Sequence, residues 1–338
     1  MAREHSHVKK RRRGCLSGCL VKIVLLLGMA ALLFVAACSL GVIRNDPQTG
    51  APYVTFEEFG LDGLKAPDLS VLENFDLPDI SLSALNLPEW PYKVAREGLT
   101  VKTLRAGSGE AVLVCSDGYT MLLGAGGGKG ILLCGQMLLS GVNRLDAAVA
   151  LQSENSQLGG MSLALKLMKP AYLLYADTQV KSEAYHAMMD AAAGVTGLTP
   201  IAAKQGLTFS LGRATVTVIG PAARHHTDER DDGLSVRIDY GSTSVLVMGG
   251  VTASAEEEIM TSAPVDADVL IASCGGSVEG TSASFVERVT PKLALLTGKD
   301  AANAVKVRLE RAGADVYTAK EHGVMTVFSD GQSVRMAP

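Results

Sequence analysis

The sequence has few of the residues that several common functions require. Phe, Trp and Tyr together make up 5% of the 338 residues, and the formal net charge is −4 at pH 7. Proteins that bind nucleic acid need a basic surface, and those that hold single strands also stack bases on aromatic rings. The composition therefore argues against nucleic acid as a partner.

Cysteines are also few, and their spacing fits no zinc-binding pattern. The six positions are Cys15, Cys19, Cys38, Cys115, Cys134 and Cys274. The last three fall in the C-terminal part of the chain. There they serve either as small buried apolar residues or, in an oxidising compartment, as one disulfide plus one thiol.

Two motifs typical of catalysis are missing or incomplete. No G-x-S-x-G nucleophile elbow occurs, which argues against a serine hydrolase. The glycine-rich run Gly124–Gly130 lacks the first glycine and the final hydroxyl residue of a phosphate-binding loop. We interpret it as a turn that leads into a helix.

The N-terminus carries the strongest pattern. Residues 1–44 contain eight Lys/Arg and one acidic residue, and the basic run 9–13 precedes an uncharged apolar stretch at 23–43. As a helix, that stretch would rise about 31 Å, the thickness of a hydrocarbon core. The positive-inside rule predicts a cytoplasmic N-terminus at 1–22, a single transmembrane helix at 23–43 and everything later outside.

Other anchors explain the same pattern. A cleaved secretory signal has a similar basic and apolar start. The run Val35–Cys38 also resembles a lipoprotein box, in which Cys38 would be lipidated and become the mature N-terminus. Both the uncleaved helix and the lipoprotein keep the chain attached to the lipid bilayer, with the rest outside the cytoplasm.

Residues 44–95 have the composition of a spacer. After Arg44 they contain six prolines, nine acidic residues and only two basic ones. Proline removes hydrogen-bond donors and interrupts periodic structure. We expect an extended, acidic stalk between the membrane and a domain at 96–338.

The domain at 96–338 alternates between strand and helix patterns and contains several hairpins. Asp117-Gly118 and Asp330-Gly331 are typical hairpin turns. The predicted helices are Gly130–Leu139, Leu158–Met168, Val180–Ala193, Ala253–Thr261, Ala283–Val289 and Ala301–Ala312. This order predicts an α/β (α+β) fold in which two sheets lie between helices, an αββα sandwich.

Three segments carry a family resemblance. Leu104–Ala111 is similar to a loop of the type D-V-G-Q-G-D-A, and Leu123–Gly126 to a strand ending in D-A-G. Leu145–Gly160 matches the frame of L-D-A-x-V-L-S-H-P-H-A-D-H-I-G-G at both ends but not in its middle. The chain resembles the metallo-β-lactamase domain of the ComEC-type DNA-internalisation competence proteins, over about 98–333.

The resemblance implies two zinc or manganese ions, but every ligand position is changed. The two leading histidines of the motif correspond to Gln152 and Glu154, and its aspartate and third histidine to Ser156 and Gln157. A bridging aspartate corresponds to Gly250 and a later histidine to Cys274. Paired ions need imidazole and carboxylate ligands, and among these residues Glu154 alone is a good ligand. We therefore expect no metal cofactor and no catalytic residues.

Three functions are consistent with this pattern. The first is a membrane-anchored pseudoenzyme that binds an extracytoplasmic protein or ligand. The second is a metal-dependent hydrolase with a rebuilt site around Glu154, His225, His226 and Asp228, although a solvated loop explains that cluster as well. The third, an accessory role in DNA uptake, is implied by the resemblance alone.

Overall fold

The computed structural model describes two short strands nearer the N-terminus and residues 97–337. Within 97–337, residues 129, 180 and 224–225 are not described. The chain divides into two compact units, Met1–Pro78 and Asp79–Pro338. In the first unit, strands β1 (Ile43–Asn45) and β2 (Pro52–Val54) pair antiparallel. The predicted stalk at 44–95 therefore contains a strand pair in place of purely extended chain.

The predicted transmembrane helix lies outside the described residues, except that Ile43 begins strand β1. Cys38, the predicted lipidation site, and the basic segment 1–22 lie outside them as well. Among the helices that the structure does describe, none combines the length and apolar character that a bilayer crossing requires.

The second unit contains an eight-stranded mixed sheet. Its strands are β3 (Leu99–Thr103), β4 (Val112–Ser116), β5 (Tyr119–Leu123), β6 (Ala147–Ala150), β7 (Tyr172–Ala176), β8 (Thr199–Ala203), β16 (Thr326–Ser329) and β17 (Val334–Met336). The spatial order is β17-β16-β3-β4-β5-β6-β7-β8. Neighbouring strands from β17 to β5 pair antiparallel, and those from β5 to β8 pair parallel.

A seven-stranded sheet repeats the same plan. Its strands are β9 (Thr208–Leu211), β10 (Ala214–Gly220), β11 (Ser235–Tyr240), β12 (Thr243–Val247), β13 (Val269–Ile271), β14 (Leu293–Leu296) and β15 (Asp315–Thr318). They lie in the order β15-β14-β13-β12-β11-β10-β9. Strands β9 to β12 are antiparallel, and β12 to β15 are parallel.

Helices cover the outer faces of the two sheets. They are α1 (Gly130–Leu139), α2 (Asn155–Leu158), α3 (Met161–Met168), α4 (Glu183–Gly194), α5 (Ala253–Ser262), α6 (Ala283–Val289), α7 (Asn303–Arg311) and α8 (Ala319–His322). Helices α1, α3 and α4 share a core with the first sheet, and α5, α6 and α7 with the second.

The central strands are apolar on both faces because each face packs against another layer. In β4, Val112 and Val114 point into the core between the sheets, whereas Leu113 packs with the helices. Strand β12 does the same with Val245 and Val247 inside and Leu246 on the helix side. The result is four layers in the order helix, sheet, sheet, helix, as the sequence predicted.

Three local predictions differ from the structure. The helix expected at Leu158–Met168 is divided into α2 and α3 by a turn at Gly159-Gly160. Strand β8 was not predicted, because it is an edge strand whose residues are mostly exposed and include Pro200. The short helix α8 was also missed.

Candidate functional site

The loops that resemble the metal motif meet at one end of the sandwich, beyond the ends of β6, β12 and β13. The first follows β6 and carries Gln152 to Gly160, and the second follows β12 and carries Gly249 and Gly250. The third, a 3₁₀ turn at Ser273–Gly276, follows β13. The Leu234 N–H donates to the Leu151 carbonyl at 2.6 Å, which joins the start of β11 to the first loop.

Gln152 lies at the centre of this arrangement. It is 4% exposed, and its Nε2 donates to the backbone carbonyl of Arg230 at 2.9 Å. A Cβ on Gly250 would lie 2.6 Å from Nε2 of Gln152 and closer still to Oε1. The amide therefore occupies the space into which a side chain at position 250 would project.

Cys274 connects the second and third loops. Its Sγ donates to the carbonyls of Gly250 at 3.1 Å and Val251 at 3.2 Å. Cys274, Gly275 and Gly276 all have positive φ, which turns the chain sharply at this point. Burial raises the pKa of the Cys274 thiol to about 12, so the group remains a neutral thiol at neutral pH. None of Cys115, Cys134 and Cys274 forms a disulfide in the described part of the chain.

The other polar residues of the first loop bind elsewhere. Oε1 of Gln157 accepts the Glu110 backbone N–H at 2.9 Å, which is a buried contact. Oγ of Ser156 donates to Oε2 of Glu154 at 3.0 Å on the exposed side. The structure thus brings Gln152, Gly250 and Cys274 together, while Glu154, Ser156 and Gln157 hold separate contacts.

Glycines fix the loops around this centre by allowing main chain to meet main chain. A Cβ on Gly107 would lie 2.9 Å from the backbone nitrogen of Gly128, and one on Gly159 would lie 2.9 Å from the carbonyl carbon and oxygen of Gly127. Gly126 approaches Ala106 in the same way. We call Gly107, Gly126, Gly127, Gly128 and Gly159 the glycine interlock.

The alternative cluster lies beside this centre, along an open cavity of about 880 Å³. Glu154, His226 and Asp228 all line it, and His225 lies outside the described residues. Nδ1 of His226 lies 2.8 Å from Asp232 and Nε2 lies 3.0 Å from Glu258, so both ring nitrogens are engaged. The Asp228 carboxylate accepts Nε and Nη2 of Arg230, whose Nη1 also donates to Glu279.

These pairs set the charge of the cluster. Burial alone would lower the pKa of His226, but its hydrogen bonds with Glu258 and Asp232 outweigh burial and the pKa is raised. The Arg230 guanidinium lowers the pKa of Asp228. The contacts of His226 with Glu258 and of Arg230 with Glu279 attach the loop 226–233 to α5 and to the segment around Glu279.

The residues at the motif positions do not fit a pair of metal ions. Amides, a hydroxyl and glycine are poor substitutes for imidazole and carboxylate ligands. Gln152 and Cys274 also direct their polar hydrogens to backbone carbonyls. Within the described residues, no three His, Cys, Asp or Glu side chains are placed to share an ion.

Two buried carboxyl groups at this end were not singled out from the sequence. Glu256 of α5 is 0% exposed and accepts the Ser273 hydroxyl and the backbone N–H groups of Thr281 and Ser282. It holds the third loop and the start of α6. Glu110 is 2% exposed and neither of its carboxyl oxygens has a hydrogen-bond partner. Glu110 falls within the D-V-G-Q-G-D-A-like segment Leu104–Ala111, but nothing in that segment marks it as a buried carboxyl group.

The architecture is that of a four-layered αββα domain, and one curated relative is consistent with the predicted resemblance. No family model matches the chain. ComE operon protein 3 of Bacillus subtilis strain 168 is 25% identical over 158 residues, which are 46% of this chain and 20% of that protein. The matched region thus covers about one fifth of the length of that relative.

Solved structures with similar chain paths include two proteins of known fold or class. The metallo-β-lactamase fold protein YhfI of Bacillus subtilis has a TM-score of 0.47 and 15% identity, over 68% of this chain and 99% of its own. Igni18, a metallo hydrolase of the archaeon Ignicoccus hospitalis, has a TM-score of 0.44 and 17% identity, over 67% and 98%. At these scores they add nothing to the architecture that the strand order already defines.

Proposed function

We propose that this protein is a membrane-anchored pseudoenzyme with an extracytoplasmic metallo-β-lactamase-like domain that binds a partner or ligand without catalysis. The motif that would hold two metal ions keeps its frame and has lost its ligands. The loops around it are joined instead by hydrogen bonds and glycine contacts that need no cation.

The observation that carries the proposal is the position of Gln152. Its amide fills the space beside Gly250 and is fixed by the Arg230 carbonyl, so the centre is closed by the chain itself. A buried amide that lost these contacts would leave polar atoms unsatisfied, at a cost of about 1–3 kcal/mol. Opening the centre for an ion is therefore unfavourable before any coordination bond is counted.

The test is metal analysis of the full-length chain purified in detergent and equilibrated with zinc or manganese. We expect well below one ion per chain, and no turnover of phosphodiester or β-lactam substrates. Stoichiometric metal that a chelator removes, together with restored turnover on reloading, would overturn the proposal.

A paired variant separates the rebuilt hydrolase from adventitious metal. Glu154→Gln combined with His226→Gln replaces a carboxylate and an imidazole that line the 880 Å³ cavity by amides, which are poor metal ligands. If the wild-type chain bound metal and this variant did not, the rebuilt site around Glu154, His225, His226 and Asp228 would be the better description. Under our proposal the two chains have the same low metal content.

The anchor has its own test. An uncleaved helix at 23–43 and a lipoprotein modified at Cys38 both retain the protein in the membrane fraction. Intact-mass analysis of the protein from the membrane fraction separates them. An uncleaved helix keeps residues 1–37, whereas a lipoprotein begins at a lipid-modified Cys38.

The resemblance to the ComEC-type DNA-internalisation competence proteins, with which the match to ComE operon protein 3 is consistent, favours a second candidate function, an accessory role in DNA uptake. Such a role through direct contact predicts binding that weakens steeply with salt, because phosphate contacts release counterions. The domain at 96–338 carries 21 basic and 25 acidic residues, so we expect no such binding. Salt-dependent binding of short single-stranded or duplex DNA to the full-length chain would favour this second function.

A further inference from the structure

Glu110 is a buried carboxyl group that the closed centre does not use. Its backbone is fixed, because its N–H donates to Gln157 at 2.9 Å and its carbonyl accepts the Gly126 N–H at 3.0 Å. Its side chain is 2% exposed and is directed toward Gly249. The Gly249 N–H faces the carboxyl without completing a hydrogen bond of normal geometry, and both oxygens lack a partner.

An ionised carboxylate in such a place is costly. The free-energy cost of removing its charge from water is offset only by strong hydrogen bonds or by an opposite charge, and Glu110 has neither. Burial accordingly raises its pKa to about 8. The closed arrangement therefore holds Glu110 in its neutral, protonated form at neutral pH.

Among the residues that the structure describes, no opposite charge lies against the Glu110 carboxyl. The elements packed around it are the loop 105–109, the glycine run 124–128, the first loop with α2, and the loop 248–251. Their ionisable residues, within the described part of the chain, are Arg105 and Glu154. The Arg105 guanidinium lies against Gly323, and Glu154 is exposed and bonded to Ser156.

We propose that Glu110 is a proton-dependent latch, which permits the loop at 249–251 to close against Gln152 while it is protonated and favours an opened centre once its proton is lost. The proposal rests on the closed, metal-free centre of the proposed function. The opened arrangement would let water reach the carboxylate and would release the contacts of Gln152 and Cys274 with Gly250.

The sign of the effect follows from linkage. In the opened arrangement the carboxyl titrates near the ordinary value for Glu, about 4.3, whereas in the closed one it titrates near 8. Between these values only the closed form keeps the proton. Each rise of one pH unit therefore favours opening about tenfold, and the effect levels off above pH 8.

Hydrogen exchange of the full-length chain in detergent, read by mass spectrometry, tests the latch. Rates are corrected for the chemical dependence of exchange on pH. In the wild-type chain, amides near 124–128 and 248–252 should exchange up to about 100-fold faster at about pH 7.5 than at about pH 5.5. The strands Val269–Ile271 and Leu293–Leu296 serve as an internal reference.

The decisive comparison is with Glu110→Gln, which cannot ionise. Corrected exchange at the centre should then be independent of pH, whereas the control Glu154→Gln should behave as the wild-type chain does. If Glu110→Gln does not fold, Glu110→Met gives the same comparison with another neutral side chain. A flat wild-type profile, or a neutral variant that keeps the wild-type slope, would overturn the latch.

This outcome is independent of the metal assay. Stoichiometric zinc or manganese would reject the metal-free centre, whatever the exchange profile. If the chain is metal-free and its corrected exchange has the same pH dependence with and without Glu110, the latch is rejected and the proposed function is unaffected.

Discussion

The amide of Gln152 and the bare backbone of Gly250 are complementary in shape. One fills the space that the other leaves, and a single methyl group at position 250 would lie within 2.6 Å of Nε2. The contact makes glycine a packing requirement at this position. Its backbone adopts no left-handed conformation, so strain in φ is not the reason.

Gly250→Ala should therefore destabilise the fold. We expect a loss of about 1–3 kcal/mol in the free energy of unfolding, typical of overpacking. Chemical denaturation of the full-length chain measures it. Gly194→Ala is the matched control, because no atom lies within 4 Å of its Cβ position at the end of α4. That change should be neutral or stabilising by up to about 1 kcal/mol. If both variants lost the same free energy of unfolding, the contact with Gln152 would not be the cause.

Glu256 should be far more sensitive than its neighbour Glu257. Replacing Glu256 by Gln puts an amide where three donors converge, so at least one donor loses its acceptor. We expect a loss of about 2–4 kcal/mol in the free energy of unfolding. Glu257→Gln, on the exposed face of the same helix, should change it by less than about 0.5 kcal/mol. Similar effects of the two changes would contradict the role given to Glu256.

His226 should stabilise the loop 226–233 at acid more than at alkaline pH. A raised folded pKa means that the contribution is fully present below about pH 6.5, the unfolded value, and is lost as pH rises through the folded pKa. The unfolding free energy of His226→Gln should fall below that of the wild-type chain by about 1–2 kcal/mol near pH 6, with a smaller gap near pH 9. A gap that stays constant with pH would show that the imidazole charge plays no part.

The ion pair between Asp117 and Arg213 should link the two sheets. Its contribution to stability should fall at acid pH, whereas that of His226 falls at alkaline pH. The Arg213 guanidinium lies 2.7 Å from Asp117 and holds the pKa of that carboxyl well below its usual range. Asp117→Asn should cost about 1–3 kcal/mol at neutral pH. The gap should narrow as pH falls below about 4, because a depressed pKa gives stability that acid removes.

Titration of acid unfolding in wild type and Asp117→Asn checks this prediction. Asp300→Asn, at an exposed position, is the control and should follow the wild-type curve. If Asp117→Asn unfolded along the wild-type curve from neutral pH to pH 3, the contact between Asp117 and Arg213 would not contribute to stability.

The layers of the fold could be predicted because local rules and packing agree there. Asp117 and Gly118 both adopt positive φ, as an Asp-Gly hairpin turn requires. The bounds of α1 and α6 match the prediction because their apolar faces pack on the sheets without competition. Periodicity did not reveal the break between α2 and α3. Gly159 is placed by a distant segment, the backbone of Gly127 and Gly128.

The site could be predicted only in part. The resemblance located the loops that meet, including Gln152, Gly250 and Cys274, but not how their polar groups are bonded. Nothing in a run of three consecutive Glu residues marks Glu256 as the buried one. Asp232 and Glu258, the partners of His226, lie 6 and 32 residues away from it, and only the folded chain shows that both contact it.

The glycine interlock limits how missing chemistry could be grafted onto this scaffold. Main chain meets main chain at Gly107, Gly128 and Gly159, so an imported motif must carry glycine there whatever else it brings. A side chain at position 250 would fit without a steric clash only after Gln152 had been shortened. To build a metalloenzyme on this scaffold, one would therefore replace the Gln152 side chain first and introduce metal ligands afterwards.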